Sequence, residues 1–522
     1  MPTVSIPELR VPARTAPRGV DGHLHEFIAR HLGVGPEEIL SYRILRRSTD
    51  ARKKPNVFLL YHLHVTLCDT AKPHNCEMPD PPARPWRPPS ETHLENPLVV
   101  GSGPAGLFAA LLLASAGCRP VLIDRGRDVG RRKLDVEAFL RTRTPDPESN
   151  FLYGEGGAGT WSDGKLFTRI RDPRIEYVLR VFAEAGAPEQ ILYFAHPHIG
   201  SDLLPGVIAA IRKKILALGG TVLWGQRAES LLIRDGKCRG VCLAGGDTAE
   251  APATLIASGH SARDLILSLI SAGCAFTMKG FQTGVRIEHR QSFIDRARYG
   301  GTIPAAGAAE YALSASAPGG SGVVSFCMCP GGEIIPAVSQ AGHLRTNGMS
   351  NAARSGSFAN AALVTTFPPE TFATPREAFD FLAGYENEIF RAGGSDYTFP
   401  AQTADDFLSG RRTLRLPETS CRTGVTPGDL RKLLPRRLTD ALRRALPEFE
   451  RRMPGFIRGG VLTGIETGVS SPVRFLRHPD TLESSIPGLW LAGEGAGCAG
   501  GITSAAVDGL RAAEQMMRCL PR

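Results

Sequence analysis

The sequence lacks any apolar run long enough to cross a bilayer. Its longest apolar stretches, such as residues 107–116, are broken by glycine or charge well short of the roughly 20 residues that a membrane span needs. The first residues, MPTVSIPELRVPART, contain no apolar core, so we expect no secretory signal. These absences predict a cytoplasmic protein without membrane contact.

The spacing of cysteines that marks disulfide scaffolds or zinc sites is also lacking. Eleven cysteines are scattered over 522 residues, and no pair of CxxC motifs is present, so we expect a reduced compartment and no bound metal. The net charge of +9 comes partly from basic clusters at 43–54, 125–133 and 411–415. No RNA- or DNA-binding motif accompanies them, so we expect no nucleic-acid partner. If a nucleic acid did bind, residues 1–94 are the segment in which we would expect its site.

The most informative segment is LVVGSGPAGLFAALLLASAGCRPVLID, residues 98–124. An apolar run ends in a GxGxxG turn, a helical pattern follows, and a second apolar run ends in Asp124. Gly101 permits the turn, Gly103 lets the backbone approach a pyrophosphate, and Gly106 lets helix and strand pack closely. Asp124 is placed to accept hydrogen bonds from a ribose diol, and the helix start favours phosphate charge. This pattern predicts a dinucleotide site.

The chain is long enough for two or three domains. We predict an α/β protein: a Rossmann-type dinucleotide-binding domain with a single fingerprint, an inserted α+β substrate domain and a small N-terminal α/β module. The expected boundaries are 1–71 for the module, 72–94 for a linker with seven prolines, 95–280 and 456–522 for the dinucleotide-binding domain, and 281–455 for the substrate domain.

No second GxGxxG follows a strand and opens a helix. A chain with separate FAD and NAD(P) domains should show two such fingerprints. We therefore expect one dinucleotide to be held permanently, while NAD(P)H is admitted as a transient reductant without a Rossmann domain of its own.

The C-terminal segment GLWLAGEGAGCAGGITSAAVDGLRAAEQM, residues 488–516, favours FAD over NAD. A strand ends on Gly493 and Glu494, a glycine loop follows, and a helix begins near Ile502. A helix N-terminus suits the flavin pyrimidine, which gains negative charge on reduction. The segment resembles the C-terminal flavin-binding motif of the glutathione-reductase-like superfamily, in which the acid is usually Asp. The segment LIASGHSAR, residues 255–263, resembles a strand-to-loop motif of the same superfamily.

A further glycine-rich stretch, NFLYGEGGAGTWSDGKLFTR, occupies residues 150–169. Together with VGSGPAGLFAA, APEQILYFAHPHIG, GVRIEH, FCMCPGGE, TNGMS and the C-terminal motif, it closely resembles a family of uncharacterised bacterial FAD-dependent dehydrogenases. The resemblance covers nearly the whole chain and implies a two-domain flavoprotein with an N-terminal extension. Our predicted FAD contacts are Gly101, Gly103, Pro104, Ala105, Gly106, Asp124, Arg125, Gly156, Gly157, Ser162, Gly164, Ala228, Gly259, Gly493, Glu494, Gly500, Gly501 and Ile502.

One departure from the family pattern lies in GIETGVSSPVR, residues 464–474. The family pattern is closer to ETRTSSPVR, so Gly468 and Val469 stand in place of Arg and Thr. We expect this loop to shape the substrate cavity, with a solvent-exposed turn as the alternative. If it lines the cavity, this member has lost a cation there.

The candidates for proton transfer and substrate binding are His198, Arg286, His289 and Glu466. His196 and His198 straddle a proline on an extended segment. Strand alternation places Arg286 and Glu288 on one face, as an anion clamp or, slightly favoured, as an internal ion pair. Cys327 and Cys329 would share a strand face, and we favour packing at the flavin edge over a redox pair.

These features predict an FAD-dependent oxidoreductase that oxidises or reduces a small organic substrate at a C–C, C–N or C–O bond. A flavin monooxygenase is the first alternative, and oxygen uptake with a hydroxylated product would distinguish it. A flavin-bearing scaffold or RNA-associated protein is the second; it would retain macromolecular affinity in residues 1–94 without flavin turnover. The sequence specifies neither the substrate nor the oligomeric state.

Overall fold

The N-terminal unit is a three-stranded antiparallel sheet covered by one helix. The computed structural model describes residues 1–81, 84–89, 93–316 and 322–519, so part of the predicted linker, residues 82–83 and 90–92, lies outside the description. Apolar residues alternate along the central strand, and their inward side chains pack under the helix. In chain order the elements are β1 (Thr3–Pro12), α1 (His25–Leu32), β2 (Ile39–Lys53) and β3 (Asn56–Leu67), and the strand order is β1-β3-β2.

This N-terminal unit is fixed against the rest of the chain. Arg47 donates hydrogen bonds to the Asp21 carboxylate at 2.8 Å and to the Ala305 carbonyl at 2.7 Å. Arg14 donates to the Tyr299 carbonyl at 2.9 Å, and the apolar side chains of the unit join one core with those of the following domain. The unit therefore packs as part of the body rather than as a tethered appendage.

The second part of the chain contains the fingerprint. Its elements are β4 (Leu98–Val100), α2 (Pro104–Ser115), β5 (Val121–Asp124), α3 (Val129–Thr142), α4 (Arg174–Glu184), α5 (Leu204–Ala217), β6 (Thr221–Trp224), β7 (Ala228–Arg234), β8 (Lys237–Leu243), β9 (Thr248–Glu250), β10 (Thr254–Ile256) and α6 (Arg263–Ser271). Helix α2 is apolar on all sides and buried from Ala105 to Ala114, as expected for a helix between a sheet and other helices.

The third part supplies most of a second, larger sheet. Its elements are β11 (Phe276–Met278), β12 (Phe281–Arg290), α7 (Gln291–Tyr299), β13 (Ser314–Ala315), β14 (Val323–Cys329), β15 (Gly332–Pro336), β16 (Thr346–Ser350), β17 (Phe358–Phe367), α8 (Pro375–Ala392), β18 (Phe399–Thr403), α9 (Ala404–Ser409), β19 (Val425–Pro427), α10 (Leu430–Leu433), α11 (Arg436–Arg452) and β20 (Val461–Glu466).

The last part contains β21 (Val473–Phe475), which pairs with β11, then β22 (Leu489–Leu491), which completes the first sheet, and α12 (Ile502–Cys519). The parallel sheet has the order β22-β10-β4-β5-β6, and the larger sheet has the order β13-β14-β17-β12-β20-β18-β19. Helix α12 packs on α2 because Gly509 lacks a side chain; a Cβ there would lie 2.0 Å from the Ala105 carbonyl oxygen.

The mixed α/β architecture agrees with the predicted fold class. The observed path differs from the expected boundary at residue 456, because β20 is a central strand of the larger sheet, paired with β12 and β18. The chain returns to the parallel sheet only with β22. Of the predicted linker, Trp86 is docked: its Nε1 donates to Glu514 on α12 at 3.0 Å.

Candidate functional site

A cavity of about 630 Å³ lies between the two large sheets. One wall is formed at the carboxyl ends of β4, β5 and β10, where open parallel sheets bind their ligands. The opposite wall includes Gln282, Phe326 and Glu466 of the larger sheet and Asn347 of β16, which pairs with β15. A molecule held by the fingerprint would therefore share its cavity with side chains of the second domain.

Gly101 and Gly106 have the conformational and packing roles that the sequence predicted. Gly101 has φ +100, and a Cβ there would lie 2.5 Å from the Ala257 carbonyl oxygen. At Gly106 a Cβ would lie 1.8 Å from the carbonyl oxygen of Gly101, so this glycine serves helix–strand packing. A Cβ on Gly103 would meet nothing closer than the Gly157 Cα at 4.0 Å. Gly103 thus presents bare backbone to the cavity.

Asp124 ends β5 on the cavity wall. Its Oδ2 accepts hydrogen bonds from the backbone N–H of Ser102 at 2.7 Å and from the Ser102 hydroxyl at 2.6 Å, while Oδ1 accepts from the Gly126 N–H at 2.8 Å. A carboxylate offers about four acceptor positions, so one remains for a ribose hydroxyl. The same side chain also holds the fingerprint turn in place.

The loop around Gly157 is held by two buried groups that sequence reasoning missed. The Arg132 guanidinium donates to the carbonyl oxygens of Asn150 and Glu155, both at 2.7 Å. The Glu155 carboxylate accepts from the Val129 N–H and from Arg212, also at 2.7 Å each. Arg132 belongs to the basic run 125–133, and only its place on the inner face of α3 distinguishes it from the other basic residues there.

At the C-terminal motif, Glu494 faces the cavity beside the start of α12. Its Oε1 accepts from the Ser471 N–H at 3.0 Å and lies 3.7 Å from the Lys279 ammonium group. Burial raises the pKa of Glu494, although Lys279 opposes that shift. No sequence pattern indicated Lys279, because it lies between β11 and β12, far from both motifs.

These features fit a dinucleotide flavin. The N-terminal turns of α2 and α12 both line the cavity, through Ala105 and Ile502, and two helix N-termini suit a pyrophosphate and an electron-rich pyrimidine. The open space over Gly103 leaves room for phosphate oxygens. Of the predicted FAD contacts, Gly106 and Gly156 are not among the described lining residues. Gly156 is required by backbone conformation instead, with φ +82 and a Cβ position 2.2 Å from Thr160 Oγ1.

Of the predicted catalytic side chains, Glu466 lines the cavity, and Arg286 lies directly behind it. Arg286 is fully buried, and its Nε and Nη2 donate to the Glu466 carboxylate at 3.0 and 3.2 Å. Its Nη1 donates to Asn360 Oδ1 at 2.6 Å. Burial acts to lower the pKa of Arg286, but the Glu466 carboxylate outweighs burial, and the pKa is raised. Arg286 therefore fixes Glu466 at the cavity wall.

The predicted ion pair between Arg286 and Glu288 is wrong. Glu288 accepts hydrogen bonds from the backbone N–H and hydroxyl of Ser420, and burial raises its pKa to about 7. The partner of Arg286 comes instead from β20, which pairs with β12. Cross-strand neighbours, rather than residues two apart on one strand, decide this pairing.

The two histidines proposed for catalysis lie outside the described cavity lining. His289 donates from Nε2 to the Phe456 carbonyl at 2.7 Å and packs on Phe293; burial lowers its pKa to about 4. His198 donates from Nε2 to the Ala352 carbonyl at 3.1 Å, and burial lowers its pKa as well. The structure does not support catalytic roles for these rings, because both are engaged in packing and backbone hydrogen bonds.

The loop that departs from the family pattern faces the cavity. Gly468, Val469 and Ser470 are lining residues. A Cβ on Gly468 would lie 3.4 Å from Arg345 Nε, and Arg345 itself is paired with Glu386 at 3.5 Å. A buried guanidinium therefore already lies beside the position where the family pattern has its cation.

Family models match three parts of the chain. Residues 280–469 match a model described as FAD-dependent protein, C-terminal domain-like; residues 99–138 match an NAD(P)-binding Rossmann-like domain; residues 5–66 match a domain of unknown function. An uncharacterised protein of Clostridium beijerinckii is 39% identical over 510 residues, which cover 95% of each chain.

Solved structures with a similar arrangement include a geranylgeranyl bacteriochlorophyll reductase-like protein from Thermoplasma acidophilum. It is 13% identical, with a TM-score of 0.34, over 82% of this chain and 79% of that one. The amino acid oxidase NikD is 13% identical with a TM-score of 0.34, over 83% of this chain and 95% of that one.

Within the described residues, no helix combines the length and apolarity needed to span a membrane.

Proposed function

Since the chain belongs to a family of FAD-dependent oxidoreductases, with FAD as its cofactor, we propose that it is a dehydrogenase or reductase acting on a small organic substrate, with NAD(P)H as transient reductant. The observation that carries this proposal is the shared cavity: the fingerprint turn, the start of α12 and polar side chains of the larger sheet all face one space of about 630 Å³. This volume lies within the usual range of ligand-binding pockets.

The roles follow from the positions of the side chains. FAD supplies the hydride acceptor or donor when bound. The backbone at Gly103 and Gly157 would hold the pyrophosphate, and Asp124 the ribose. Glu466, fixed by Arg286, would orient a polar substrate group from the opposite wall. Phe167 and Phe326 also line the cavity and are about half exposed, which favours a substrate with an apolar part.

The cofactor content is the first test of this proposal. We expect the purified protein to be yellow and to release FAD, not FMN, on denaturation, because FMN would leave Asp124 and the fingerprint helix without a ligand. Chromatography of the released flavin gives the answer. A colourless protein that binds no added FAD would contradict the proposal.

The source of electrons can be identified without knowing the substrate. Anaerobic mixing of the FAD-loaded protein with NADH and NADPH separately should bleach the flavin with at least one of them. Reoxidation by a panel of small molecules would then identify the acceptor. A hydroxylated product formed with oxygen uptake would instead identify a monooxygenase.

Substitutions in the loop at Gly468 test whether this part of the cavity wall contacts the substrate. Gly468→Arg with Val469→Thr should leave FAD binding intact and shift ligand preference by about tenfold toward carboxylates, because a guanidinium pairs bidentately with such groups. A ligand panel on both proteins measures the shift. Leu414→Arg, on a side chain that is 85% exposed, adds the same charge elsewhere and should change nothing. Identical profiles for all three proteins would place the loop outside the substrate site.

A further inference from the structure

Two cysteines on β14 lie at the wall of the same cavity. Cys327 is one of the lining residues, whereas Cys329, two positions on, is fully buried beneath the strand. Both are free thiols. The pair therefore combines one accessible sulfur with one that solvent cannot reach.

The strand is deformed where the two thiols lie. Its register with β17 shifts between Phe326 and Cys329, and Cys327 has φ +44, a conformation that a non-glycine residue rarely adopts. The Cys327 carbonyl is held by the Arg286 guanidinium and by the Cys329 thiol, both donating at 3.3 Å. Such bulges redirect side chains next to functional sites, and here the Cys329 sulfur lies 3.3 Å from the carbonyl oxygen of Cys327.

The charges around the pair distinguish the two sulfurs. The neighbouring Cys329 thiol lowers the pKa of Cys327, and the cations of Lys165 and Arg286 lower it further, against burial and Asp163. The Lys165 ammonium group donates to the Met328 carbonyl between the two cysteines. The hydrogen bond to Cys327 and burial raise the pKa of Cys329. An accessible thiolate beside a buried, protonated thiol is the division of roles found in redox dithiols.

We propose that Cys327 and Cys329 form a redox-active dithiol that passes two electrons from the reduced flavin to a small disulfide substrate in this cavity. The proposal rests on the proposed function, because the flavin must occupy the same cavity. It differs from the packing role that the CxC spacing favoured, since the sequence showed neither the bulge nor the two cations that surround Cys327.

The chemistry balances with the flavin as the reductant. The Cys327 thiolate attacks one substrate sulfur, the substrate S–S bond breaks, and one thiolate leaves. Cys329 loses its proton and attacks Cys327, which releases the second substrate thiolate and forms the Cys327–Cys329 disulfide. Reduced flavin, FADH⁻, returns two electrons to this disulfide. In sum, FADH⁻, one disulfide and one proton give FAD and two thiols.

An anaerobic dithionite titration of the FAD-loaded, oxidised protein tests the electron count. The wild type should take up about four electrons per FAD, whereas Cys329→Ser should take up about two, because a disulfide and a flavin each accept two electrons. Cys421→Ser is the matched control, since Cys421 is buried and outside the described lining; it should still take up about four. Mass spectrometry of the oxidised wild type should show the peptide with both cysteines lighter by two hydrogens.

Glutathione disulfide is the probe for the attacking sulfur. The Cys329→Ser variant should accumulate a mixed disulfide on Cys327, whereas Cys327→Ser should form none on Cys329. If Cys327→Ser fails to fold, protection of Cys327 against iodoacetamide after glutathione disulfide treatment of the Cys329→Ser protein gives the same information.

The outcomes distinguish a failure of the dithiol proposal from a failure of the oxidoreductase proposal. An uptake of about two electrons by a wild-type protein with normal flavin reduction, or an unmodified Cys327, would overturn the dithiol and leave the oxidoreductase proposal standing. Failure of the wild type to hold FAD would overturn both.

Discussion

Gly103→Val should abolish FAD retention while leaving the protein folded. A Cβ at residue 103 would not clash with the protein, since the nearest atom is the Gly157 Cα at 4.0 Å. Residue 103 has φ −68, which valine adopts without strain. The added side chain would therefore occupy only the space assigned to the pyrophosphate. Flavin absorbance after gel filtration and the far-ultraviolet circular dichroism of the variant measure the two parts of this expectation.

Two further variants provide results with which the effect of Gly103→Val on FAD retention can be compared. Gly106→Val should misfold, because a Cβ there would lie 1.8 Å from the Gly101 carbonyl oxygen. Asp124→Ala should weaken FAD binding by about ten- to a hundredfold, since a charge-assisted hydrogen bond contributes about 1.5–3 kcal/mol. Ser102→Ala, which removes one hydrogen bond to Asp124 but keeps the carboxylate, is its control. Normal flavin content in a folded Gly103→Val protein would show that the cofactor does not lie over this turn.

Arg286→Met should lower the free energy of unfolding by about 3–5 kcal/mol, because it leaves the Glu466 carboxylate buried and unpaired. Both side chains of this pair are almost completely buried, so solvent cannot replace the lost partner. The variant also leaves Asn360 Oδ1 without its donor. Urea unfolding followed by circular dichroism measures the change.

The same strand provides a matched control. Arg290, at the end of β12, pairs with Glu418 at 2.7 Å, and the two side chains are 51% and 69% exposed. Arg290→Met should cost less than about 1 kcal/mol, because exposed ion pairs contribute little. The double variant Arg286→Met with Glu466→Leu should recover part of the loss, since it removes both buried charges. Equal effects of Arg286→Met and Arg290→Met would contradict the account of the buried pair.

Some of the candidate site could be predicted because its requirements are local. A turn that needs φ +100 at Gly101 and a close helix contact at Gly106 permits essentially one residue type, and that restriction is visible in a single stretch of sequence. The strand that ends on Asp124 and the helix that begins at Ile502 were predicted from the same kind of local pattern.

Other parts could not be predicted, because they depend on contacts between distant segments. The basic run 125–133 shows no local sign of burial, yet Arg132 is fully buried, since its face of α3 meets the loop 150–160. His289 was a plausible catalytic residue by position, but the aromatic side chains of other elements enclose it. The surroundings of Arg132 and of His289 cannot be recognised from the residues next to them in the sequence.

The sequence by itself located one dinucleotide fingerprint and predicted that a second, C-terminal helix closes the same site. Those features follow from backbone conformation and periodicity within short segments. Only the tertiary structure decided which residues face each other across the cavity: Glu466 rather than Glu288 for Arg286, and Lys165 beside Cys327. The register of paired strands sets the first of these contacts, and it is fixed by the packing of the whole sheet rather than by any one strand. The second depends on the loop that carries Lys165, which packs against β14.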